Sequence, residues 1–374
     1  MSTITIKAEC HCKSNAFDVC FLASSLPISA PMCHCNACRH STGQIFTQCL
    51  PIQSAPLTPN DTGNFADLQY LQQYQTTSAS SNWFCKKCNA FFFATFQDSS
   101  GLLKWSVFPG ILEKIEGLFT TAHHEFVEET CDGGKADHYR RPHGVEVLHY
   151  QTTSTDGSVL PMNWTNEHVS DVFIQPLADD ATFNAYCHCG SIQLTIGRPL
   201  KHVQPNDGPF AVKPNPVSIQ PQHGLRYQAA HCFCTSCRVT SGSTITSWGF
   251  AAANHVIDRK TSKPALAFNP EGSPFFVKNI EGTNQYESSP NKFRESCAKC
   301  GAHVFFWDAT RPVGFIDVAP GLFDQDAEGS RVERYFAWTR TLFDDDALDR
   351  KVVKDLRDGM QEYYGVPSGI WPEI

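Results

Sequence analysis

Hydrophobic positions along the chain fall in short bursts and not in long periodic runs. Segments such as 15-NAFDVCFLA-23, 102-LLKWSVFPG-110 and 244-TITSWGFAA-252 are rich in aromatic and β-branched residues and are bounded by Gly, Pro or Ser, which is the pattern of strands. One stretch departs from it. In 344-DDDALDRKVVKDLRDGMQEYY-364 the apolar residues Leu348, Val352, Val353 and Leu356 take helical spacing. The run Phe91, Phe92 and Phe93 reads as core. The pattern predicts a mainly β protein with a helical C-terminal segment.

Composition narrows this picture. At 374 residues, 41% hydrophobic and 18% charged, the chain is long enough for two domains of about 150 residues. A formal charge of −8 with no basic run argues against nucleic acid as a partner, because sequence-independent affinity comes from clustered Lys and Arg. The start, MSTITIKAEC, lacks the basic and apolar segments of a secretory signal. No stretch approaches the roughly 18 apolar residues of a membrane span. A soluble, cytoplasmic protein without a membrane partner is expected.

Seventeen cysteines need a reason. In a reducing compartment they point to metal or catalysis, not disulfides. Their order is informative: Cys10 and Cys12, then Cys33, Cys35 and Cys38, then Cys85 and Cys88. The order recurs as Cys187 and Cys189, then Cys232, Cys234 and Cys237, then Cys297 and Cys300. Flanking residues repeat as well: 10-CHCKSNAFDV-19 aligns with 187-CHCGSIQLTI-196, 33-CHCNACRHSTG-43 with 232-CFCTSCRVTSG-242, and 84-FCKKCNAFFF-93 with 296-SCAKCGAHVF-305. The chain thus reads as a tandem duplication. A first domain covers 1–150, a linker 151–180, a second domain 181–343 and a helical tail 344–374. The Pro- and Gly-rich stretch 198–224 reads as an irregular insertion. Cys20, Cys49 and Cys131 have no counterparts and read as buried small hydrophobes.

Sorting the ligands separates two kinds of site. A C-x-C pair and a distant C-x-x-C pair supply the four thiolates of a closed, structural zinc site, with Zn–S distances of about 2.3 Å. Gly301 after Cys300, and Asn89 after Cys88, suit the positive φ of a chain turning around a metal. Each triplet is left with three ligands, which is the arrangement of a zinc that keeps one position for water or substrate. A nearby histidine, His34, His40 or His231, is the alternative fourth ligand, and would make the triplet structural.

The order C-x-C, C-x-C-x-x-C-R, C-x-x-C resembles the glutathione-dependent formaldehyde-activating family, S-(hydroxymethyl)glutathione synthase-like, which includes centromere protein V. The resemblance covers most of the chain twice. It implies two tandem zinc-bound β-tent domains. Cys10, Cys12, Cys85 and Cys88, and again Cys187, Cys189, Cys297 and Cys300, would hold structural ions. Cys33, Cys35 and Cys38, with Cys232, Cys234 and Cys237, would be the catalytic ligands, giving about four zinc ions per chain. The chain departs from single-domain enzymes in its duplication, its insertion and Asn89 in place of the usual Gly.

The implied chemistry is that of a carbon–sulfur lyase or synthase. A free thiol is only a few per cent thiolate at neutral pH, and a metal deprotonates it. Glutathione or another small thiol arriving at an open position becomes a held nucleophile toward an aldehyde such as formaldehyde. Arg39 and Arg238, one residue beyond each triplet, are candidates to meet a substrate carboxylate. His11 and His188 alternate away from the metal, and 125-EFVEETCDGG-134 reads as a solvated acidic loop. The second copy is the favoured active one, because it keeps the knuckle glycine and its insertion could cover a larger substrate. The other functional class in view is a non-catalytic tandem zinc module for protein interaction.

Overall fold

The computed structural model describes residues 2–61, 63–199, 211–212, 224–268, 276–311 and 314–365. Most of the expected insertion, 198–224, lies outside the described residues. The fold is mainly β. The expected strand near 15–23 is Ala16–Leu22, where Phe17, Val19 and Phe21 are buried and their neighbours only half so, the period of two that a pleated strand imposes. It forms an antiparallel hairpin with Thr3–Glu9. Leu103–Val107 and Thr246–Ala252 occupy the other two expected segments.

In the first half a five-stranded sheet runs in the order Leu50–Ile52, Leu103–Val107, Phe91–Gln97, Ser80–Cys85, Leu71–Gln75. Phe91, Phe92 and Phe93 are all fully buried in it. In the second half an eight-stranded sheet places Arg226–Cys232, Thr246–Ala252, Phe315–Val318, His303–Asp308, Lys292–Cys297 and Thr283–Ser289 side by side in that order. Each half also contains a parallel pair. Ile28–Cys33 runs beside Phe119–Glu125, and Arg226–Cys232 beside Phe336–Phe343.

Five helices are described: α1 (Asn36–Thr42), α2 (Glu167–Phe173), α3 (Thr235–Ser241), α4 (Gln325–Glu328) and α5 (Arg350–Tyr364). The expected C-terminal helix is α5. It starts at Asp349, whose carboxylate accepts from the backbone N–H groups of Lys351 and Val352, and ends at Gly365 in the left-handed region, as a capped helix should. Val352, Val353, Leu356 and Met360 form its buried stripe. This helix is no free tail. His143 donates its backbone N–H to Asp355 at 2.6 Å, and a Cβ on Gly359 would lie 2.3 Å from the carbonyl oxygen of His138. The segment 151–180, read from composition as a linker, contains the strand Val159–Leu160 and α2.

The halves share a core. Met32, Ile45, Phe46 and Tyr139 pack in the same apolar cluster as Phe233, Ile245, Trp248 and Trp338. Two reciprocal backbone bonds lock the contact: Gly110 N–H to the carbonyl of Gly242, and Gly321 N–H to that of Gly43. The acidic stretch 125–134 is part of this packing and not a solvated loop. Asp132 is fully buried and accepts from the Ser330 hydroxyl at 2.9 Å and the Arg331 backbone N–H at 2.7 Å.

Candidate functional site

Four cysteine clusters stand out among the described residues, and every ligand atom in each lies within 4.8 Å of the others. They are Cys10, Cys12, Cys85 and Cys88; Cys187, Cys189, Cys297 and Cys300; Cys33, Cys35 and Cys38; and Cys232, Cys234 and Cys237. All seventeen cysteines are free thiols.

Each four-cysteine cluster joins a turn to the end of a strand. Cys10 and Cys12 follow Thr3–Glu9, while Cys85 closes Ser80–Cys85 and Cys88 sits in the turn beyond it. That turn needs positive φ, which Asn89 supplies at 56° and Gly301 at 80°. Sulfur–sulfur spacings are 3.4 Å for Cys10–Cys12, 3.7 Å for Cys12–Cys85, 3.5 Å for Cys187–Cys189 and 3.7 Å for Cys187–Cys297. Four thiolates at tetrahedral positions about 2.3 Å from a metal would be roughly 3.8 Å apart, so the spacing fits a closed tetrahedral centre. The sulfurs also receive donors, from Asn15 N–H to Cys10 at 3.3 Å and from Ile192 N–H to Cys187 at 3.3 Å. Such donors hold thiolates in place.

Each triplet straddles a strand-to-helix junction. Cys33 ends Ile28–Cys33, Cys35 caps α1 by accepting the Cys38 N–H at 3.4 Å, and Cys38 lies one turn in. Cys232, Cys234 and Cys237 repeat this on Arg226–Cys232 and α3, with Cys232 and Cys234 sulfurs 3.4 Å apart. Packing three thiols together splits them. Cys38 is held well below the ordinary thiol range by hydrogen bonds from Cys33 and Cys35, and Cys33 is pushed well above it by its hydrogen bonds with Cys35 and Cys38. Cys237 and Cys232 divide likewise. A divalent cation is what would let all three ionise together.

The first triplet keeps some solvent contact at all three cysteines, the second at Cys234. No histidine joins either set among the described residues. His34 Nε2 faces His124 Nδ1 at 2.9 Å, His40 Nδ1 donates to the Tyr186 carbonyl at 2.8 Å, and His231 Nδ1 meets the Ser247 hydroxyl at 2.9 Å. Burial pushes His34 down to about 3 and His40 to about 4, so both are neutral.

Two expectations are corrected here. Arg39 is fully buried and Arg238 nearly so. Arg39 donates to the His34 carbonyl and to Gln325 Oε1 at 2.7 Å, while Arg238 donates to the Gly110 carbonyl and to that of Leu112 at 3.0 Å. Both guanidiniums tie one half to the other or to the backbone and are not presented to a substrate carboxylate. Cys20, Cys49 and Cys131 are half-buried instead of buried.

Sequence reasoning also missed residues beside the triplets. Glu129 accepts the first backbone N–H of α1, from Asn36 at 2.6 Å, and Asp346 does the same for Thr235 of α3 at 3.0 Å. A carboxylate at a helix start is favourable, and no spacing rule links it to cysteines a hundred residues away. Arg294 donates to Cys237 Sγ at 3.4 Å. The alignment of 296–305 with 84–93, extended a few residues upstream, would have set it against Asn82. His11 and His188 each reach the opposite half, meeting the hydroxyls of Tyr286 at 2.8 Å and Tyr74 at 2.7 Å.

No curated protein matches the chain. Residues 5–129, which hold all seven cysteines of the first set, match the family described as glutathione-dependent formaldehyde-activating enzyme.

Proposed function

We propose that the chain is a zinc-dependent carbon–sulfur lyase or synthase, built as two tandem domains of one kind and acting on glutathione or a small thiol adduct. The observation that carries this reading is the pair of three-thiol sets that no histidine or carboxylate completes among the described residues. Cys10, Cys12, Cys85 and Cys88, with Cys187, Cys189, Cys297 and Cys300, would hold structural zinc. Cys33, Cys35 and Cys38, or Cys232, Cys234 and Cys237, would hold zinc with one position left for a ligand.

Zinc held by either triplet would supply a charge that lowers the pKa of a thiol reaching it. The protein's own residues do the rest. The three cysteines fix the approach of the sulfur, and the α1 or α3 backbone orients Cys35 or Cys234 through the N–H···S bond one turn on. Glu129 and Asp346 anchor these helices at their first turn. In the addition direction the S–H adds across the aldehyde C=O: a carbon–sulfur bond forms and the proton ends on oxygen, giving a hemithioacetal. Cleavage is the reverse.

No described helix is long and apolar enough to cross a membrane. The test is zinc-dependent formation or cleavage of a bulky glutathione adduct, chosen because thiols add to formaldehyde rapidly unaided. Wild type should exceed Cys35→Ser, Cys234→Ser or both. Equal rates in all three would overturn the reading.

A further inference from the structure

The second triplet has a buried cation in contact with one of its sulfurs, and the first has no counterpart at the aligned position. Glu129 and Asp346 are matched acids at the starts of α1 and α3, and Arg39 and Arg238 are matched buried cations. Arg294 has no such match. It lies three residues before Cys297, where the first cysteine set has Asn82 three residues before Cys85. The Asn82 amide donates to the Ser41 hydroxyl at 3.3 Å. The Arg294 guanidinium instead donates through Nη2 to Cys237 Sγ at 3.4 Å and to Ser236 Oγ at 3.0 Å. It is 3% exposed and lies 5.0 Å from the centroid of the Phe306 ring.

Two further facts shape its role. Its Nε and Nη1 donors are buried without a partner among the described residues. A buried guanidinium with unused donors costs free energy unless something anionic meets it. The nearby acid Asp317 is engaged by Arg311 at 2.5 Å. Arg294 is also held from the other half, because Ser236 Oγ bonds His11 Nε2 at 3.1 Å. His11 sits between Cys10 and Cys12, so the first four-cysteine cluster steadies the cation that touches the second triplet.

We propose that Arg294 is a positioning residue that makes the Cys232, Cys234 and Cys237 triplet, and not the Cys33, Cys35 and Cys38 triplet, the site that accepts an anionic thiolate as fourth ligand. The inference rests on the proposed metal-thiol function. Three thiolates and a divalent metal carry a net charge of −1, which repels another thiolate; the guanidinium offsets it at the second triplet alone. Its donation to Cys237 also draws electron density from that sulfur, leaving the metal a better acceptor.

The test uses the full chain with cobalt in place of zinc, in a Cys35→Ser background so that the second triplet is the reporter. Glutathione is titrated while the thiolate-to-cobalt charge-transfer band and cobalt content are followed. Arg294→Gln should weaken thiol binding roughly tenfold, the size expected for a charge-assisted bond, at unchanged cobalt content. Arg294→Lys, which keeps the charge, should retain most of the affinity. Unchanged affinity in Arg294→Gln, or equal losses in both variants, would overturn the inference and assign Arg294 to packing on Phe306. If Arg294→Gln does not fold, Arg294→Lys compared with the unsubstituted residue decides: a tenfold loss with the charge kept overturns it. A background chain that binds no thiol would overturn this inference; only if the unsubstituted chain also binds none would the proposed function fall with it.

Discussion

The backbone N–H of Gly110 donates to the carbonyl of Gly242 at 2.8 Å, closing the first half on the C-terminal cap of α3, the helix that carries Cys237. A Cβ on Gly110 would lie 2.3 Å from the Gly242 carbonyl carbon and 2.5 Å from the Ser243 nitrogen. Backbone cannot yield as a flexible side chain does. Gly110→Ala should therefore destabilise by about 1–3 kcal/mol, as overpacking does. Gly63→Ala, with nothing nearer than 3.5 Å, should be nearly neutral. Denaturant midpoints of the two variants check this.

Metal analysis of protein purified without chelator should find about four zinc ions per chain, one for each cysteine cluster. Two or fewer would remove metal from the triplets of at least one half.

The two classes of cluster should respond differently to a single lost sulfur. Cys85→Ser and Cys297→Ser strike closed centres whose binding energy is folding energy, so solubility and melting temperature should fall sharply. Cys35→Ser and Cys234→Ser should leave a more nearly native fold with one metal fewer and reduced thiol chemistry. Equal destabilisation by both groups would dissolve the distinction.

Acid should destabilise the fold from about pH 6.5 downward. Burial holds His149 and His303 at about 4 against an ordinary value of 6.5. Above 6.5 these imidazoles are neutral in both folded and unfolded chains and contribute no difference. Below it the unfolded chain takes up protons that the folded one refuses, so stability falls as pH drops toward 4. Each contributes on the order of 1 kcal/mol between pH 6.5 and 5.5. Denaturant midpoints at pH 7.5 and 5.5, with metal content measured in parallel, separate this from loss of metal. A midpoint unchanged at pH 5.5 would contradict it.

The strands and the cysteine clusters were legible because their signals are local. Phe17, Val19 and Phe21 alternate within one strand, and Cys10 and Cys12 mark a knuckle by spacing alone. Bringing Cys85 and Cys88 to them took only the repeated order of cysteines. The surroundings were not legible, since their partners come from the other half. Arg39 one residue past Cys38 looked poised for substrate, yet Gln325 claims it. Glu129 looked solvated, yet it receives the first N–H of α1. Arg294 is a charge on a strand like many others until the fold lays it on Cys237.

The packing of the halves has a consequence for synthesis. Arg39 finds Gln325 286 positions further along the chain, and at ordinary elongation rates that is a delay on the order of 15–60 s. During it Met32, Ile45 and Phe46 leave the ribosome without the second-half residues that bury them. The nascent first half therefore spends that interval with an open apolar face, the state in which chaperone capture competes with self-association.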